Sequence, residues 1–303
     1  MKIKQNAAIL DGKLVASASR IIIKQRVAEY ILQYHRQPGL AVIVLGNDPA
    51  SAIYVTNKKK SCLDVQIDTC AYHLPLNTTE TELLALIHEL NHAVTIDGIL
   101  VQLPLPAHIN TTAIIASIKP SKDVDGFHPY NLGRLVQGHP WLRPCTPYGI
   151  MTLLEYYHLP ISGLHAVIVG ASNIVGRPMA LEFLWAKATI TVCHSATNDL
   201  EPYIRAADLI VVATGVMDII NTDWLHSKQI LIDVGIHRLP DNTLRGDVDF
   251  NRAKHKVAWI TPVPGGVGPM TINALLLNTL ASAMHRQYLC LDKTYPAKDD
   301  DVE

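Results

Sequence analysis

Two residues in the first half of the chain, Tyr54 and Lys58, have side chains suited to holding a planar ligand and moving a proton. They lie four positions apart after Asp48-Pro49, a cap and first-turn proline typical of a helix start. Both side chains would therefore project from one face of a helix and share a small volume. Such pairs also occur on solvated helix faces, so the spacing alone leaves both interpretations open.

Gln102 is a polar residue within an apolar run, Gly98-Ile-Leu-Val-Gln-Leu-Pro-Leu-Pro106. A buried amide must find hydrogen-bond partners, and the prolines that follow fix the exit of the predicted strand. We therefore expect Gln102, with its neighbours Val101 and Leu103, at the carboxyl edge of a sheet.

An acidic residue, Asp125, precedes a glycine in the loop Lys122-Asp-Val-Asp-Gly-Phe-His-Pro129. Asp-Gly is also one of the commonest turn dipeptides, so a simple turn remains an alternative to a binding role. A second loop, Thr261-Pro-Val-Pro-Gly-Gly-Val-Gly-Pro-Met-Thr271, is rigid, rich in glycine and leads into a helix. Its composition is typical of a backbone that passes close to a ligand.

A turn suited to phosphate binding is Gly170-Ala-Ser-Asn-Ile-Val-Gly176, which follows an apolar strand and opens a helix. The usual dinucleotide fingerprint is G-x-G-x-x-G, and here Ser172 replaces the second glycine. A serine can still donate a hydrogen bond, and a helix N-terminus offers free N–H groups to an anion. A tight turn without a ligand is the alternative.

The next strand ends in Cys193-His194-Ser195, without the acidic residue that binds the adenosine 2′-hydroxyl of NAD. This absence favours NADP, whose 2′-phosphate Ser195 would bind, with Arg177 or His194 supplying positive charge. A partly buried histidine at a strand end is the alternative for His194. The following two strands end in Thr214-Gly215 and Gly235-Ile236, on the edge where such sheets bind ligands.

Apolar runs alternate with helical patterns along the chain, which predicts an α/β fold with parallel sheets. The first series has strands at 40–45, 66–74 and 98–103 and helices at 17–34, 49–62 and 79–93, with a possible capping box at Thr79 and Glu82. The second starts at Thr146-Pro147, a cap and proline that predict a helix of about ten residues. It continues with strands at 165–170, 189–193, 208–214, 229–235 and 257–261 and helices at 174–186, 198–206 and 270–288. The loop-rich span 119–145 separates the two series.

Composition narrows the class of protein. The 303 residues carry 26 Lys and Arg against 27 Asp and Glu, and 49% of them are hydrophobic, so we expect a two-domain globular protein with no nucleic-acid or membrane partner. No signal-peptide core or apolar run of about 18 residues is evident, which predicts a cytoplasmic location. The five cysteines include no C-x-x-C pair, so we expect neither a disulfide framework nor a metal site.

Five segments occur together and in the same order in one known family. The chain closely resembles the bifunctional methylenetetrahydrofolate dehydrogenase/cyclohydrolase family from about Asp11 to Met284, and the segments that carry the resemblance are Tyr54-Val-Thr-Asn-Lys58, Gly98-Ile-Leu-Val-Gln-Leu-Pro-Leu-Pro106, Lys122-Asp-Val-Asp-Gly-Phe127, Gly170-Ala-Ser-Asn-Ile-Val-Gly-Arg-Pro178 and Pro262-Val-Pro-Gly-Gly-Val-Gly-Pro-Met-Thr271.

The resemblance implies a fold of two α/β domains with a cleft between them, usually assembled as a homodimer. The first domain (1–140, joined by the helix 270–290) would bind folate, the second (141–269) would be a Rossmann-like NADP domain, and 291–303 would be an acidic flexible tail.

The resemblance also implies roles for single residues. Lys58 would be the catalytic base, Gln102 its hydrogen-bonding partner, Tyr54 the plate over the folate and Asp125 the pterin anchor. Further folate contacts would come from Val101, Leu103, Pro264, Gly265, Gly266 and Thr271, and cofactor contacts from Gly170, Ala171, Ser172, Val175, His194, Ser195, Thr214, Gly215 and Ile236. Ala171 replaces an arginine that many members have after the first glycine, so the preference for NADP over NAD is open at that position.

The implied chemistry fits these residue types. Oxidation of 5,10-methylenetetrahydrofolate needs positioning more than acid or base, because the methenyl cation that results is stabilised by its own two nitrogens. Hydrolysis to 10-formyltetrahydrofolate needs a base, and a lysine accepts a proton only when it is neutral, which burial favours.

Two alternatives remain open. One is an NADP-dependent dehydrogenase of another small molecule, such as a shikimate-type enzyme, because a fold does not fix a substrate. The other is a cofactor-sensing module without catalysis.

Overall fold

The computed structural model describes residues 6–46 and 49–292, apart from the side chains of 49–55 and 287–292. The predicted Asp48 cap, the side chain of Tyr54 and the predicted tail from residue 293 onward lie outside this description. The strands are β1 (Ala8–Ile9), β2 (Gly39–Leu45), β3 (Asp68–Leu74), β4 (Gly98–Val101), β5 (His165–Val169), β6 (Thr189–Cys193), β7 (Leu209–Val212), β8 (Ile230–Asp233), β9 (His237–Arg238), β10 (Leu244–Arg245) and β11 (Trp259–Ile260). The helices are α1 (Gly12–Tyr34), α2 (Pro49–Asp64), α3 (Glu80–His92), α4 (Thr111–Ser117), α5 (Pro129–Val136), α6 (Cys145–Tyr156), α7 (Gly176–Trp185), α8 (Glu201–Ala206), α9 (Phe250–Ala253) and α10 (Val267–Asp292).

The chain divides into two compact units. The three-stranded unit comprises Ile21–Tyr130 and Leu275–Glu303, and the six-stranded unit comprises Met1–Arg20 and Asn131–Ala274. The residues before 21 and those from 131 to 140 therefore group with the later part of the chain. The division at residue 140 into a folate-binding domain and an NADP-binding domain concerns function, and it stays a prediction.

In the three-stranded unit, the sheet is parallel with the order β3-β2-β4. Every residue of β2 is buried, as the uninterrupted apolar run Gly39–Leu45 requires of a central strand covered on both faces. β3 lies at the edge and leaves most of its side chains exposed or half-buried. The predicted capping box of α3 is confirmed, because Thr79 Oγ1 accepts from the Glu82 N–H while the Glu82 carboxylate accepts from the Thr79 N–H.

In the six-stranded unit, a parallel sheet has the order β1-β11-β8-β7-β5-β6. Strand order reverses between β5 and β7, because the chain passes from β5 to β6 on one side and then to β7 on the other. In open α/β sheets this switch point, at the carboxyl ends of the strands, is where ligands bind. Two apolar cores cover the sheet, one including Ile168 and Phe183 and the other including Val167 and Ile210.

Several predicted elements need correction. α4 and α5 lie where the sequence suggested no helix, and α5 occupies part of the span 119–145 that was predicted to be loop. Asn110 caps α4, since its Oδ1 accepts from the N–H groups of Thr112 and Ala113. Thr146 is not a helix cap, because α6 already begins at Cys145.

One stretch of α10, Val267–Arg286, is long and apolar enough to cross a bilayer by length and composition, but 61% of it is buried within the protein. Its polar residues bind neighbouring backbone: Asn273 Nδ2 donates to the Ala16 carbonyl, and Asn278 Nδ2 donates to the Val124 carbonyl. The helix therefore has the burial and the polar contacts of a core helix.

Candidate active site

The structure brings Lys58 and Gln102 together in the three-stranded unit. The Lys58 Nζ, on α2, donates a hydrogen bond of 3.0 Å to the Gln102 Oε1, just past the end of β4. Both side chains are half-buried, whereas the next lysines on α2, Lys59 and Lys60, are exposed. The hydrogen bond to the Gln102 amide fixes the position of the Lys58 amine, and a fixed position is the first requirement of a general base.

Gln102 is fixed from both sides. Its backbone N–H donates to the Ile43 carbonyl at 2.9 Å, which extends the pairing of β4 with β2 by one residue. Its Nε2 donates to the Leu103 carbonyl at 2.9 Å, so the amide oxygen faces Lys58. The predicted position at the carboxyl edge of the sheet is confirmed. Val101 is buried in the core, which leaves only its main chain for a ligand, and Leu103 is half-buried.

Asp125 lies in the same unit, in the loop after β4 and α4. Burial raises the pKa of its carboxyl group to about 6; Lys58 acts in the opposite direction, and Asp123 adds to the rise. No hydrogen bond to its carboxylate is present within the part of the chain that the structure describes. The Asp125 carboxylate is half-buried and interacts electrostatically with Lys58. It is thus available to a ligand that carries hydrogen-bond donors.

The loop that carries Asp125 is held by residues whose role the sequence did not reveal. The buried carboxylate of Asp123 accepts from the N–H groups of Phe127 and His128, at 3.2 and 2.8 Å. Gly126, which lies within this hydrogen-bonded turn, has the left-handed conformation with φ +76° that glycine favours.

Lys122 anchors the start of the same loop. It is buried, and its Nζ donates to the carbonyls of Leu90 and Ala93 at the end of α3. Burial is the main cause that lowers the Lys122 pKa, to about 8. The sequence gives no signal for this structural role of Lys122.

Cys62 is the thiol of α2 and lies one turn beyond Lys58. It is fully buried, and burial raises the pKa of its thiol to about 11. The buried thiol is therefore poorly suited to thiol chemistry, because a thiolate is the reactive form.

The glycine-rich segment belongs to the six-stranded unit. The Gly265 carbonyl accepts from the Lys13 N–H at 3.0 Å, and a Cβ on Gly266 would lie 2.6 Å from the Pro262 carbonyl oxygen. At Gly266 the close approach is to the protein's own backbone, whereas a Cβ on Gly265 would meet the Lys13 side chain at 3.2 Å. Pro264 is exposed, and Thr271 Oγ1 lies 3.1 Å from Thr146 Oγ1.

The predicted dinucleotide turn follows β5 and leads into α7. Ser172 Oγ accepts from the N–H groups of Val175 and Gly176, at 3.2 and 3.4 Å, so the serine caps the turn. A Cβ on Gly176 would lie 1.9 Å from the Gly170 carbonyl oxygen, which explains why glycine ends the motif. Residues 172–174 are exposed, and Ala171 is half-buried.

A second turn, Thr214-Gly215, lies beside the first. A Cβ on Gly170 would come within 2.3 Å of the Ala213 carbonyl oxygen, so the ends of β5 and β7 approach closely at the switch point. Gly215 has φ +68°, and a Cβ there would meet nothing within 4 Å, so this face of the turn is open.

The remaining predicted cofactor residues have different surroundings. His194 and Ser195 are both exposed after β6, so the partly buried histidine considered as an alternative is not observed. The His194 N–H donates to Thr197 Oγ1 at 3.0 Å, which closes a small turn. Ile236 is 43% exposed, and Val175 is buried.

Comparison with known proteins decides the family. The model of the tetrahydrofolate dehydrogenase/cyclohydrolase catalytic domain matches residues 10–125, and the model of the NAD(P)-binding domain of the same family matches residues 144–287. The chain belongs to the tetrahydrofolate dehydrogenase/cyclohydrolase family. The resemblance stated from the sequence motifs is thereby confirmed, together with the α/β fold class and the dinucleotide-binding character of the second half.

Individual members of the tetrahydrofolate dehydrogenase/cyclohydrolase family are similar to this chain over almost their whole length. The bifunctional protein FolD of Legionella pneumophila (strain Corby) is 59% identical over 277 residues, which cover 91% of this chain and 98% of the relative. The crystal structure of the FolD enzyme of Campylobacter jejuni superposes with a TM-score of 0.89 at 49% identity and covers 92% of this chain and 99% of its own. The Trypanosoma brucei FolD structure, complexed with NADP and an inhibitor, has a TM-score of 0.89 at 36% identity and covers 93% and 99%.

Proposed function

We propose that this chain oxidises 5,10-methylenetetrahydrofolate to 5,10-methenyltetrahydrofolate with NADP and hydrolyses the methenyl form to 10-formyltetrahydrofolate, in one-carbon metabolism. Membership of a family named for a dehydrogenase and a cyclohydrolase supports both activities. The observation that carries the site assignment is the hydrogen bond from Lys58 to Gln102, within the region matched to the catalytic domain. The alternatives of a shikimate-type dehydrogenase and of a sensing module have no comparable support.

Lys58 is the base of the hydrolysis. In this step the oxygen of a water molecule forms a bond to the bridging carbon of the methenyl cation, and the neutral Nζ takes the proton that the water loses. The carbon–nitrogen bond on the N5 side then breaks as the hydroxyl on that carbon loses its proton and becomes the formyl carbonyl; N5 takes up a proton, and the formyl group stays on N10. Gln102 keeps the amine in place, because its own amide is fixed by the Leu103 carbonyl.

Asp125 anchors the pterin. Its carboxylate is an acceptor without a hydrogen-bond donor among the described residues, and the amino and ring N–H groups of a pterin are donors. The hydrogen bonds to the Asp123 carboxylate and the turn at Gly126 order the loop before a ligand binds, which reduces the entropy lost on binding. Tyr54, four residues before Lys58 on α2, is the proposed plate over the folate, and Pro264, Gly265, Gly266 and Thr271 remain proposed contacts.

The residues at the switch point fit a dinucleotide. The exposed turn 172–174 opens α7, and the open face of Gly215 lies beside it. Exposed apolar side chains at the neighbouring strand ends, Ile174, Val216 and Ile236, suit the flat rings of a cofactor. NADP accepts a hydride when bound; Gly170, Ala171, Ser172, Thr214 and Gly215 would hold it, and His194 and Ser195 would bind its 2′-phosphate.

The assembly proposed is a homodimer located in the cytoplasm. β3 pairs with β2 along one edge, and its other edge has no partner strand among the described residues. An open edge of seven residues favours pairing with a second chain. Sedimentation velocity should give twice the mass of one chain.

The experiment that tests the function is a spectrophotometric assay of the two steps with the purified chain. Methylenetetrahydrofolate with NADP should give the methenyl product, and methenyltetrahydrofolate alone should be hydrolysed faster than in buffer. NAD in parallel gives the cofactor preference. Absence of methenyl formation with both cofactors would overturn the proposal.

A further inference from the structure

The six-stranded unit contains a buried carboxylate that has no role in the proposed chemistry and that lies next to a turn proposed to bind the cofactor. Asp247, in the segment between β10 and α9, is fully buried in the six-stranded unit. Its Oδ2 accepts three hydrogen bonds from the turn after β7: from the Thr214 N–H at 2.8 Å, the Thr214 hydroxyl at 2.9 Å and the Gly215 N–H at 2.9 Å. Thirty-three residues of sequence separate the carboxylate from Thr214.

The other oxygen of Asp247 binds a histidine. Oδ1 lies 2.7 Å from His237 Nε2, in the segment after Ile236. The Asp247 carboxylate therefore links the Thr214-Gly215 turn after β7 to His237, the first residue of β9. Both segments carry proposed cofactor contacts, at Thr214 and Gly215 and at Ile236.

A second buried carboxylate, Asp233 at the end of β8, holds Asp247 in place. Its Oδ1 accepts from the Asp247 N–H at 3.0 Å, and its Oδ2 accepts from the Val248 N–H at 2.9 Å. Glycine is required opposite each carboxylate: a Cβ on Gly246 would lie 2.0 Å from Asp233 Oδ2, and one on Gly235 would lie 2.0 Å from Asp247 Oδ1.

The hydrogen bonds to Asp247 decide what the turn can offer a ligand. The N–H groups of Thr214 and Gly215 donate to Asp247, and the Val216 N–H donates to Thr214 Oγ1 at 3.1 Å. The backbone groups that the turn has left to offer a ligand are therefore its carbonyl oxygens. Carbonyl oxygens bind hydrogen-bond donors, which a dinucleotide carries as ribose hydroxyls and as the carboxamide N–H₂ of the nicotinamide.

We propose that Asp247 is a positioning residue of the dehydrogenase: it fixes the Thr214-Gly215 turn in the shape that binds the donor groups of NADP. The proposal rests on the proposed function, which assigns Thr214 and Gly215 to the cofactor. It makes a separable claim, since Lys58 and Gln102, which carry out the hydrolysis, lie in the three-stranded unit.

The first test compares Asp247→Ala with Asp247→Asn. Ala removes all four acceptor contacts and should weaken NADP binding by at least about tenfold, as expected when a positioned group moves by a fraction of an ångström. Asn should restore binding to within about threefold of the parent, because its oxygen can face the turn while its N–H₂ donates to the other tautomer of His237. The matched control is Asp241→Ala, which removes an exposed carboxylate of the same unit.

Three measurements are made on each variant: the Kd for NADP by isothermal titration, the KM for NADP in the oxidation, and the hydrolysis of methenyltetrahydrofolate without NADP. We expect Asp247→Ala to raise Kd and KM together and to leave hydrolysis within about twofold of the parent. A variant with parental Kd overturns the positioning role, and so does a parallel loss of both activities. If the parent itself fails to oxidise methylenetetrahydrofolate, it is the proposed function that fails.

If Asp247→Ala does not yield folded protein, the half-buried His237 provides the second comparison. His237→Leu removes the donor to Oδ1 and should raise the Kd for NADP by about threefold or more, whereas His237→Gln retains a donor and should restore it. Equal Kd values for these two variants would overturn the proposal.

Discussion

The amine of Lys58 and the amide oxygen of Gln102 are joined by a hydrogen bond of 3.0 Å that links α2 to the end of β4. The amide cannot turn away from the lysine without giving up its own bond to the Leu103 carbonyl. The position of the amine is thus fixed by the end of β4, a strand whose four residues are all buried.

Replacing Gln102 should therefore affect hydrolysis more than oxidation. In Gln102→Glu a carboxylate replaces the neutral acceptor at the same distance, and its charge favours the protonated amine. Hydrolysis near neutral pH should fall by about 10²-fold or more, the usual contribution of a general base, and recover in part at higher pH. The pH profile of methenyl hydrolysis measures this effect, and a profile that matches the parent would show that Gln102 does not act on Lys58.

Asp125 should matter for folate affinity. Asp125→Ala leaves the pterin donors unpaired, a loss of about 1.5 to 3 kcal/mol for a hydrogen bond to a charged group. Asp125→Asn keeps an acceptor without charge and should bind folate at an intermediate level, while NADP binding should be unchanged in both variants. Isothermal titration that shows parental folate affinity in Asp125→Ala would make Asp125 a turn residue only.

The affinity for folate should also depend on pH through Asp125. Because burial raises the pKa of this carboxyl group to about 6, the carboxylate is lost as the pH falls through that value. The dissociation constant of folate should therefore rise below about pH 6, well above the range in which an ordinary aspartate titrates. Asp125→Asn has no such group, and its dissociation constant should change less between pH 7 and pH 5. Identical slopes for the two proteins would contradict this prediction.

NADP should be preferred over NAD, and the end of β6 should decide this preference. Ser195→Asp places a negative charge where the 2′-phosphate is proposed to bind, so it should weaken NADP and favour NAD. The control is Asn198→Asp, which adds the same charge at another exposed position of the same loop. Ratios of kcat/KM for the two cofactors measure the effect; an unchanged ratio in Ser195→Asp would remove Ser195 from the site.

The sequence predicts best those features that depend on local patterns. β2 follows from its unbroken apolar run, the capping box from Thr79 and Glu82, and the position of Gln102 from a polar residue at the end of an apolar strand. α4 was missed even though Asn110 gives a cap signal, because its seven residues are too short for a clear helical period.

What the sequence does not predict are the long-range contacts of single polar residues. Asp123 and Asp247 each precede ordinary loop residues, and only the folded chain shows which backbone N–H groups they bind. Ser172 was expected to donate to a cofactor, whereas in the structure its oxygen accepts from the turn behind it. Hydrogen bonds across 33 residues of sequence leave no periodic signature.

The role of Lys58 as the base is tested most directly by the variant Lys58→Met, which removes the proton acceptor and keeps the aliphatic stem. Titrations with folate and with NADP first establish that binding is retained, and the rate of methenyl hydrolysis is then measured against the parent. Hydrolysis should fall to the rate in buffer while both ligands bind with dissociation constants close to those of the parent. Hydrolysis retained at the parental rate in Lys58→Met would contradict the assignment of Lys58 as the base.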